Sequence, residues 1–262
     1  MITILTIIFF ILGLIIGSFL NVVILRLGTH KNFGGRSACM SCQTKLCWYE
    51  MIPVCSFFAL GGRCRNCQSR ISWQYPLVEL ATGVIFALLF YKFSFILFVD
   101  VMFFAIPYAF YTSLFSLLLV ITVYDLRHKI IPDALSFIFG ALAFLSLFLF
   151  VDHFFFYPHL PEMADVLSGL LVALPFALIW LLSRGRWMGL GDAKLAIGLG
   201  WLLGFSQVFS GVVIAFWAGG IVGMFILVFS KKYGWKSEIP FAPFLALGAF
   251  LAFLFNIQFF LF

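Results

Sequence analysis

The stretch ITILTIIFFILGLIIGSFLNVVIL, residues 2–25, holds no ionisable side chain. As a helix rising about 1.5 Å per residue it is long enough to cross a hydrocarbon core of about 30 Å. Comparable apolar runs recur near 76–92, 102–124, 132–151, 163–182, 191–205, 207–229 and 242–262. In lipid every backbone N–H and C=O must be satisfied within the chain, and a segment of this length does so as an α-helix. The composition agrees: 64% of the residues are hydrophobic and 10% charged, against roughly 25% charged in soluble domains. The expected fold is therefore an all-α polytopic membrane protein with about eight transmembrane helices. The first run is too long for a signal-peptide core and no small-residue cleavage site follows it, so it is expected to remain as helix 1.

Charge sets the orientation. Fourteen of the sixteen Lys and Arg residues fall on alternate connections: Arg26 to Arg70 after the first run, Arg127 and Lys129 after the third, Arg184 and Arg186 after the fifth, and Lys231, Lys232 and Lys236 after the seventh. Those connections are expected on the cytoplasmic side, which places both termini outside. The segment from Asp152 to Glu162 has acids and no Lys or Arg, as an outer connection should. The net charge of +6 is thus spent on topology, and nucleic acid is not an expected partner; the lipid bilayer is. No long linker, low-complexity tract or internal repeat is evident. Three domains are expected: 1–26 as helix 1, 27–75 as a cytoplasmic insert, and 76–262 as the main membrane body.

Roughly fifty residues make only a small core, and such inserts usually need a staple. Here CMSC supplies Cys39 and Cys42, and CRNC supplies Cys64 and Cys67. Two CxxC pairs at this separation match a four-thiolate zinc site. Two disulfides are the alternative, and they require an oxidising compartment that the charge pattern argues against. Four Cys leave no open coordination position, so zinc here is structural. Cys47 and Cys55 fall outside the spacing, and His30 reads as solvated.

Acids at membrane depth are costly and mark function by default. Glu79, Asp125, Asp133 and Asp192 all lie in or beside apolar runs near the cytoplasmic face. Asp125 ends the inward-running third span in VYDLRHKIIPD, and Asp192 opens the outward-running sixth in GLGDAK. Both therefore lie at one depth. Two such carboxylates can share a proton, one activating water and the other polarising a scissile carbonyl. The plainer alternative is that Asp192 caps its helix while Arg127 and Lys129 balance Asp125. Glu79 is equally a helix-interior acid awaiting a basic neighbour. Lys194 either biases the charge of Asp192 or snorkels to the interface. Gly189 and Gly191 either admit a substrate backbone or relax the turn. Asn21, polar within the first span, is placed to donate to another helix.

Together these residues resemble the type IV prepilin peptidases, bifunctional bacterial membrane enzymes. GSFLNVVILRL (17–27), the paired CxxC motifs, ISWQYPLVEL (71–80), YDLRHKIIPD (124–133), GLGDAKL (189–195) and IPFAPFLALG (239–248) are similar to that family's motifs and occur in its order. The resemblance implies an aspartic endopeptidase of the bacterial inner membrane with Asp125 and Asp192 as the catalytic pair. It implies cleavage of prepilin or pseudopilin leaders at the cytoplasmic boundary, after Gly. It also implies methylation of the new N-terminal amine from S-adenosylmethionine, an activity associated with the cysteine insert. Where the family often has Gly-Lys before the second CxxC this chain has Gly62 and Arg63, the implied cofactor-binding pair; Arg keeps the charge as a fork rather than a point donor. A peptidase-only relative whose zinc insert positions substrate, and a non-enzymatic scaffold or transporter using the acids as ion sites, are the competing readings.

Overall fold

The computed structural model describes residues 1–29, 34–229 and 239–259. His30 and Lys31, and the Lys231, Lys232 and Lys236 group, lie outside the described residues. The fold is helical: α1 (Ile2–Arg26), a 3-10 turn at Trp48–Met51, α2 (Cys55–Ala59), α3 (Gln74–Leu97), α4 (Val101–His128) and α5 (Asp133–Leu149). A two-stranded hairpin, β1 (Phe150–Val151) with β2 (Phe155–Phe156), precedes α6 (Met163–Ser183), α7 (Leu190–Phe229) and α8 (Ala242–Phe255). Among the described residues five helices (α1, α3, α4, α6 and α7) are long and apolar enough to cross a membrane, and α5 and α8 are shorter apolar helices. The chain is a multi-pass membrane protein. It divides into two compact units, Met1–Phe95 and Ile96–Phe262, so α3 groups with α1 and the cysteine segment rather than with the later helices.

Small residues build the first unit. Gly13 and Gly17, four apart on α1, lie against α3: a Cβ on Gly13 would stand 2.7 Å from the Thr82 carbonyl, and one on Gly17 2.7 Å from Glu79 Cα. Without a hydrophobic drive between helices in lipid, close backbone approach of this kind supplies the attraction. One turn further on, Asn21 Nδ2 donates to the Tyr75 carbonyl at 3.1 Å, the expected bond to another helix. Glu79, 7% exposed, has no ion pair among the described residues. Instead its Oε2 accepts the Val54 N–H at 2.7 Å, and Ser18 supplies a second hydrogen bond. Val54 is held at φ 61°, ψ −53°, costly for a β-branched residue. The acid therefore fastens the insert to α3 through the backbone.

In the second unit α6 and α7 pack backbone to backbone at Gly169 and Gly200, where Ser168 Oγ donates to the Gly200 carbonyl at 2.9 Å and Trp201 Nε1 to the Val166 carbonyl at 2.9 Å. The boundary expected between the sixth and seventh runs falls at Gly204, where α7 breaks at φ 67°, ψ 175°. The break frees the Phe205 N–H, and Asp165 Oδ1 accepts it at 2.8 Å. A buried aromatic group of Tyr111, Phe115 and Phe253 joins α4 to α8.

Candidate active site and candidate metal centre

Four helix ends converge in the second unit: the C-terminus of α4 and the N-termini of α5, α7 and α8. Asp125, 5% exposed, sits in the last turn of α4, and Asp192, 9% exposed, in the first turn of α7. Asp125 is close enough to Asp192 for its charge to act on it. Each rests on a helix N-terminus. Asp125 accepts the backbone N–H of Ala242, the first residue of α8, and Asp192 accepts the N–H of Gly189, just ahead of its own helix. The first N–H groups of a helix have no intrahelical partner and carry partial positive charge, so they suit an anion. Asp192 is thus a helix cap of the reach-back kind and a member of the pair at once.

Glycine makes the approach possible. A Cβ on Gly191 would lie 2.9 Å from Ile131 Cβ, so the start of α7 presses against the α4–α5 connection only because Gly191 has none. Gly189 is less crowded, with Asp192 Oδ2 at 3.8 Å from a notional Cβ. Lys194 does not reach for the pair. Its Nζ stands 2.6 Å from Asp133 Oδ1, tying α7 to α5 at the exposed rim. His128 stacks on Tyr124, with ring centroids 4.4 Å apart. Sequence reasoning had no access to the Ala242 amide, a backbone group; Pro243 one residue on is the only local hint that a helix begins there.

In the first unit Cys39, Cys42, Cys64 and Cys67 place their sulfurs within 4.8 Å of one another, with Cys39–Cys67 at 3.8 Å and Cys42–Cys64 at 4.0 Å. A disulfide would need about 2.05 Å, and all six cysteines are free. Zn–S bonds of about 2.3 Å put tetrahedral sulfurs roughly 3.8 Å apart, which these residues fit. Backbone amides of Cys42 and Ser41 aimed at Cys39 hold its thiol down at about 6, and the Thr44 hydroxyl lowers Cys42. Cys64 receives the amides of Cys67 and Asn66, but burial and the neighbouring Cys39 and Cys67 thiols push it up.

The knuckles also disclose a repeat that the linear reading misses. CMSCQTKLCW (39–48) and CRNCQSRISW (64–73) align residue for residue. In each, the fifth residue (Gln43 or Gln68) takes a positive φ and donates to the first Cys carbonyl, while that Cys donates to the sixth residue, Thr44 or Ser69. Paired bridges, Ala38 with Lys45 and Arg63 with Arg70, complete the match. Gly62 and Arg63 enter this framework as backbone: the Gly62 carbonyl accepts the Ile71 N–H, and Gly62 holds φ 67° beside the Phe57 ring.

A helical multi-pass protein with two buried aspartates at converging helix ends and a separate tetrathiolate insert defines a class of membrane enzyme. Residues 11–93 match the bacterial peptidase A24 N-terminal domain, and residues 112–224 match the type IV leader peptidase family. The prepilin leader peptidase/N-methyltransferase of Bacillus subtilis is 31% identical over 95% of this chain and 94% of its own length. That of Pseudomonas aeruginosa is 30% identical over 94% and 89%. The Myxococcus xanthus protein of the same name is 34% identical over 87% of this chain, which spans 65% of the relative's length. The chain belongs to the type IV leader peptidase family. No solved structure matches it.

Proposed function

We propose that the chain is a prepilin leader peptidase and N-methyltransferase of the bacterial inner membrane, with Asp125 and Asp192 as its catalytic pair. The observation that carries this reading is the meeting of these two carboxylates, delivered by separate helices, each seated on a backbone amide at a helix N-terminus. The ionised member takes a proton from water as the oxygen attacks the scissile carbonyl carbon. The protonated member gives its proton to the carbonyl oxygen, and collapse of the tetrahedral adduct breaks the C–N bond as a proton passes to the leaving amine. Prepilins or pseudopilins would present the bond after Gly at the cytoplasmic boundary.

Counting the halves of α7 on either side of Gly204 together with α5 and α8 supports eight crossings. With fourteen of sixteen basic residues on alternate connections, the cysteine insert lies in the cytoplasm and both termini outside. The domain reading of 1–26, 27–75 and 76–262 assigns peptide cleavage to the last and methyl transfer to the insert. Cys39, Cys42, Cys64 and Cys67 hold structural zinc. S-adenosylmethionine, held by the insert, would supply the methyl group that the new N-terminal amine takes up.

The test is cleavage of a purified prepilin by Asp125→Asn and Asp192→Asn proteins with zinc content intact. Each should lose cleavage by about 10³-fold or more, in line with removal of an essential acid or base. Undiminished cleavage by either would end the aspartic mechanism.

A further inference from the structure

The two knuckles are near-copies, so what zinc binding requires is common to both, and what only one copy carries has another use. Between its cysteines the first copy has Met40 and Ser41 where the second has Arg65 and Asn66. After the shared Trp the first continues Tyr49–Glu50, whereas the second runs into α3 as Gln74–Tyr75. The unshared residues gather at one place. Tyr49, Glu50, Arg65 and Asn66, with Lys45 and the wall formed by Cys64, line an open cleft of about 340 Å³, within the usual range for small-molecule sites.

We propose that this cleft is where the methyl donor binds, and that it grips the donor's zwitterionic amino-acid end. The proposal rests on the methyltransferase reading and moves the donor site from Gly62 and Arg63, which do not line the cleft. The groups present fit both ends of a zwitterion. Arg65 Nη1 donates to the Tyr49 hydroxyl at 2.5 Å with its guanidinium carbon 5.6 Å from the Tyr49 ring centre, which holds the fork in place. A guanidinium has five N–H donors in fixed geometry, a good match to a carboxylate. Lys45 adds a second positive charge. Glu50 supplies the counterpart for the donor's ammonium; its Oε2 accepts the Cys47 N–H at 2.8 Å, which fixes the carboxylate at the cleft. Asn66 is braced by donation to Thr44 Oγ1 at 2.9 Å. At the equivalent positions the other knuckle carries Met40 and Ser41, neither of them charged.

The test uses the full-length, zinc-loaded protein in lipid nanodiscs. Equilibrium binding of S-adenosylhomocysteine, the inert product, is measured alongside prepilin cleavage and methyl transfer. Arg65→Ala should weaken binding about tenfold or more, the worth of a charge-assisted bidentate contact, while cleavage and zinc content stay at wild-type values. Arg63→Ala should bind normally. Photo-crosslinking of labelled S-adenosylmethionine to the wild-type protein should map to residues 44–50 or 64–66, and this arm holds even if a variant loses zinc. Wild-type affinity in Arg65→Ala protein, or a crosslink mapped elsewhere in a protein that methylates, would overturn the cleft assignment and leave the methyltransferase reading standing. A wild-type protein that cleaves prepilin but neither binds the product nor transfers methyl would overturn that reading and the cleft with it.

Discussion

The contact between Gly191 and Ile131 makes a sharp test of how the aspartates meet. In Gly191→Ala the new methyl group would start 2.9 Å from Ile131 Cβ and 3.4 Å from its Cγ1 and Cδ1. Carbon pairs settle at about 3.5–4.0 Å, so the start of α7 must retreat by roughly 0.8 Å. Overpacking of this kind costs about 1–3 kcal/mol, of which helix propensity returns up to about 1 kcal/mol. Global stability should thus fall by no more than about 3 kcal/mol. Activity should fall further, because Asp192 is the next residue and a displacement near 1 Å in a catalytic arrangement costs about 10²-fold. The assay is kcat for prepilin cleavage beside thermal unfolding. Gly189→Ala, whose methyl meets nothing closer than 3.8 Å, and Gly220→Ala, which meets nothing within 4 Å, serve as controls and should stay within about threefold. The clash is with Ile131 Cβ itself, so Ile131→Gly should restore part of the lost kcat in the Gly191→Ala background while Ile131→Ala should not. Wild-type kcat in Gly191→Ala, or equal rescue by Ile131→Ala, would refute the reasoning.

The remaining expectations test neighbouring features. Breaking the Lys194–Asp133 pair with Lys194→Ala should cost under about 1 kcal/mol and change kcat less than about fivefold, because both side chains are substantially exposed; a loss comparable to Asp192→Asn would make Lys194 part of the chemistry. Glu79→Leu leaves the Val54 N–H without its acceptor and should lower stability by about 1–3 kcal/mol in thermal unfolding, whereas Glu79→Gln keeps an acceptor and should lose less; equal losses would deny the clamp. Zinc should leave the insert on acidification, since protons compete for the thiolates. For Cys39 the folded state favours the thiolate, with its thiol at about 6 against 9.0 ordinarily. Its contribution to stability is therefore fully present above about pH 9 and lost as pH falls toward 6. Metal content followed downward from about pH 8 should fall on acidification, and retention at a pH where free thiolates are fully protonated and a competing chelator is present would contradict thiolate ligation.

The membrane helices, the aspartate pair and the four thiols were legible in the sequence because each rests on residue type and period. Twenty apolar residues read as a span whatever surrounds them, and two CxxC pairs advertise a metal whichever way the loop turns. What escaped were partners drawn from backbone and from distant chain. For Lys194 the sequence offers either a bias on Asp192 or snorkelling to the interface; two residues along a helix point to different faces, and it is Asp133 that stands across from it. For Glu79 the sequence leaves open a functional acid or a partner of some basic neighbour; its carboxylate instead accepts the Val54 amide, which no pattern of side chains announces. The internal repeat went unnoticed because its matches, Gln-Thr-Lys against Gln-Ser-Arg, are polar substitutions that weigh little until the hydrogen bonds are seen to superpose. The close fit of α3 on α1 at Gly13 and Gly17 was equally hard to read, because absence of side chains is a weak signal.

These misplaced partners bear on one design question. An acid at membrane depth needs compensation, and the usual source is a basic side chain. A cation held against one member of a proton-sharing pair would bind it to a single protonation state, which a residue that must alternate between acid and base cannot accept. Helix N-termini offer a partial charge instead, spread over several amides and carrying no proton to exchange. Asp125 takes this from α8 and Asp192 from α7. The nearby Lys194 is meanwhile occupied by Asp133 at the exposed rim, which keeps a full positive charge close by without committing it to the pair. On this argument Asp133 serves the site by holding Lys194 away. Asp133→Asn should then disturb the pH profile of cleavage more than its stability, and Lys194→Ala in that background should restore the original profile.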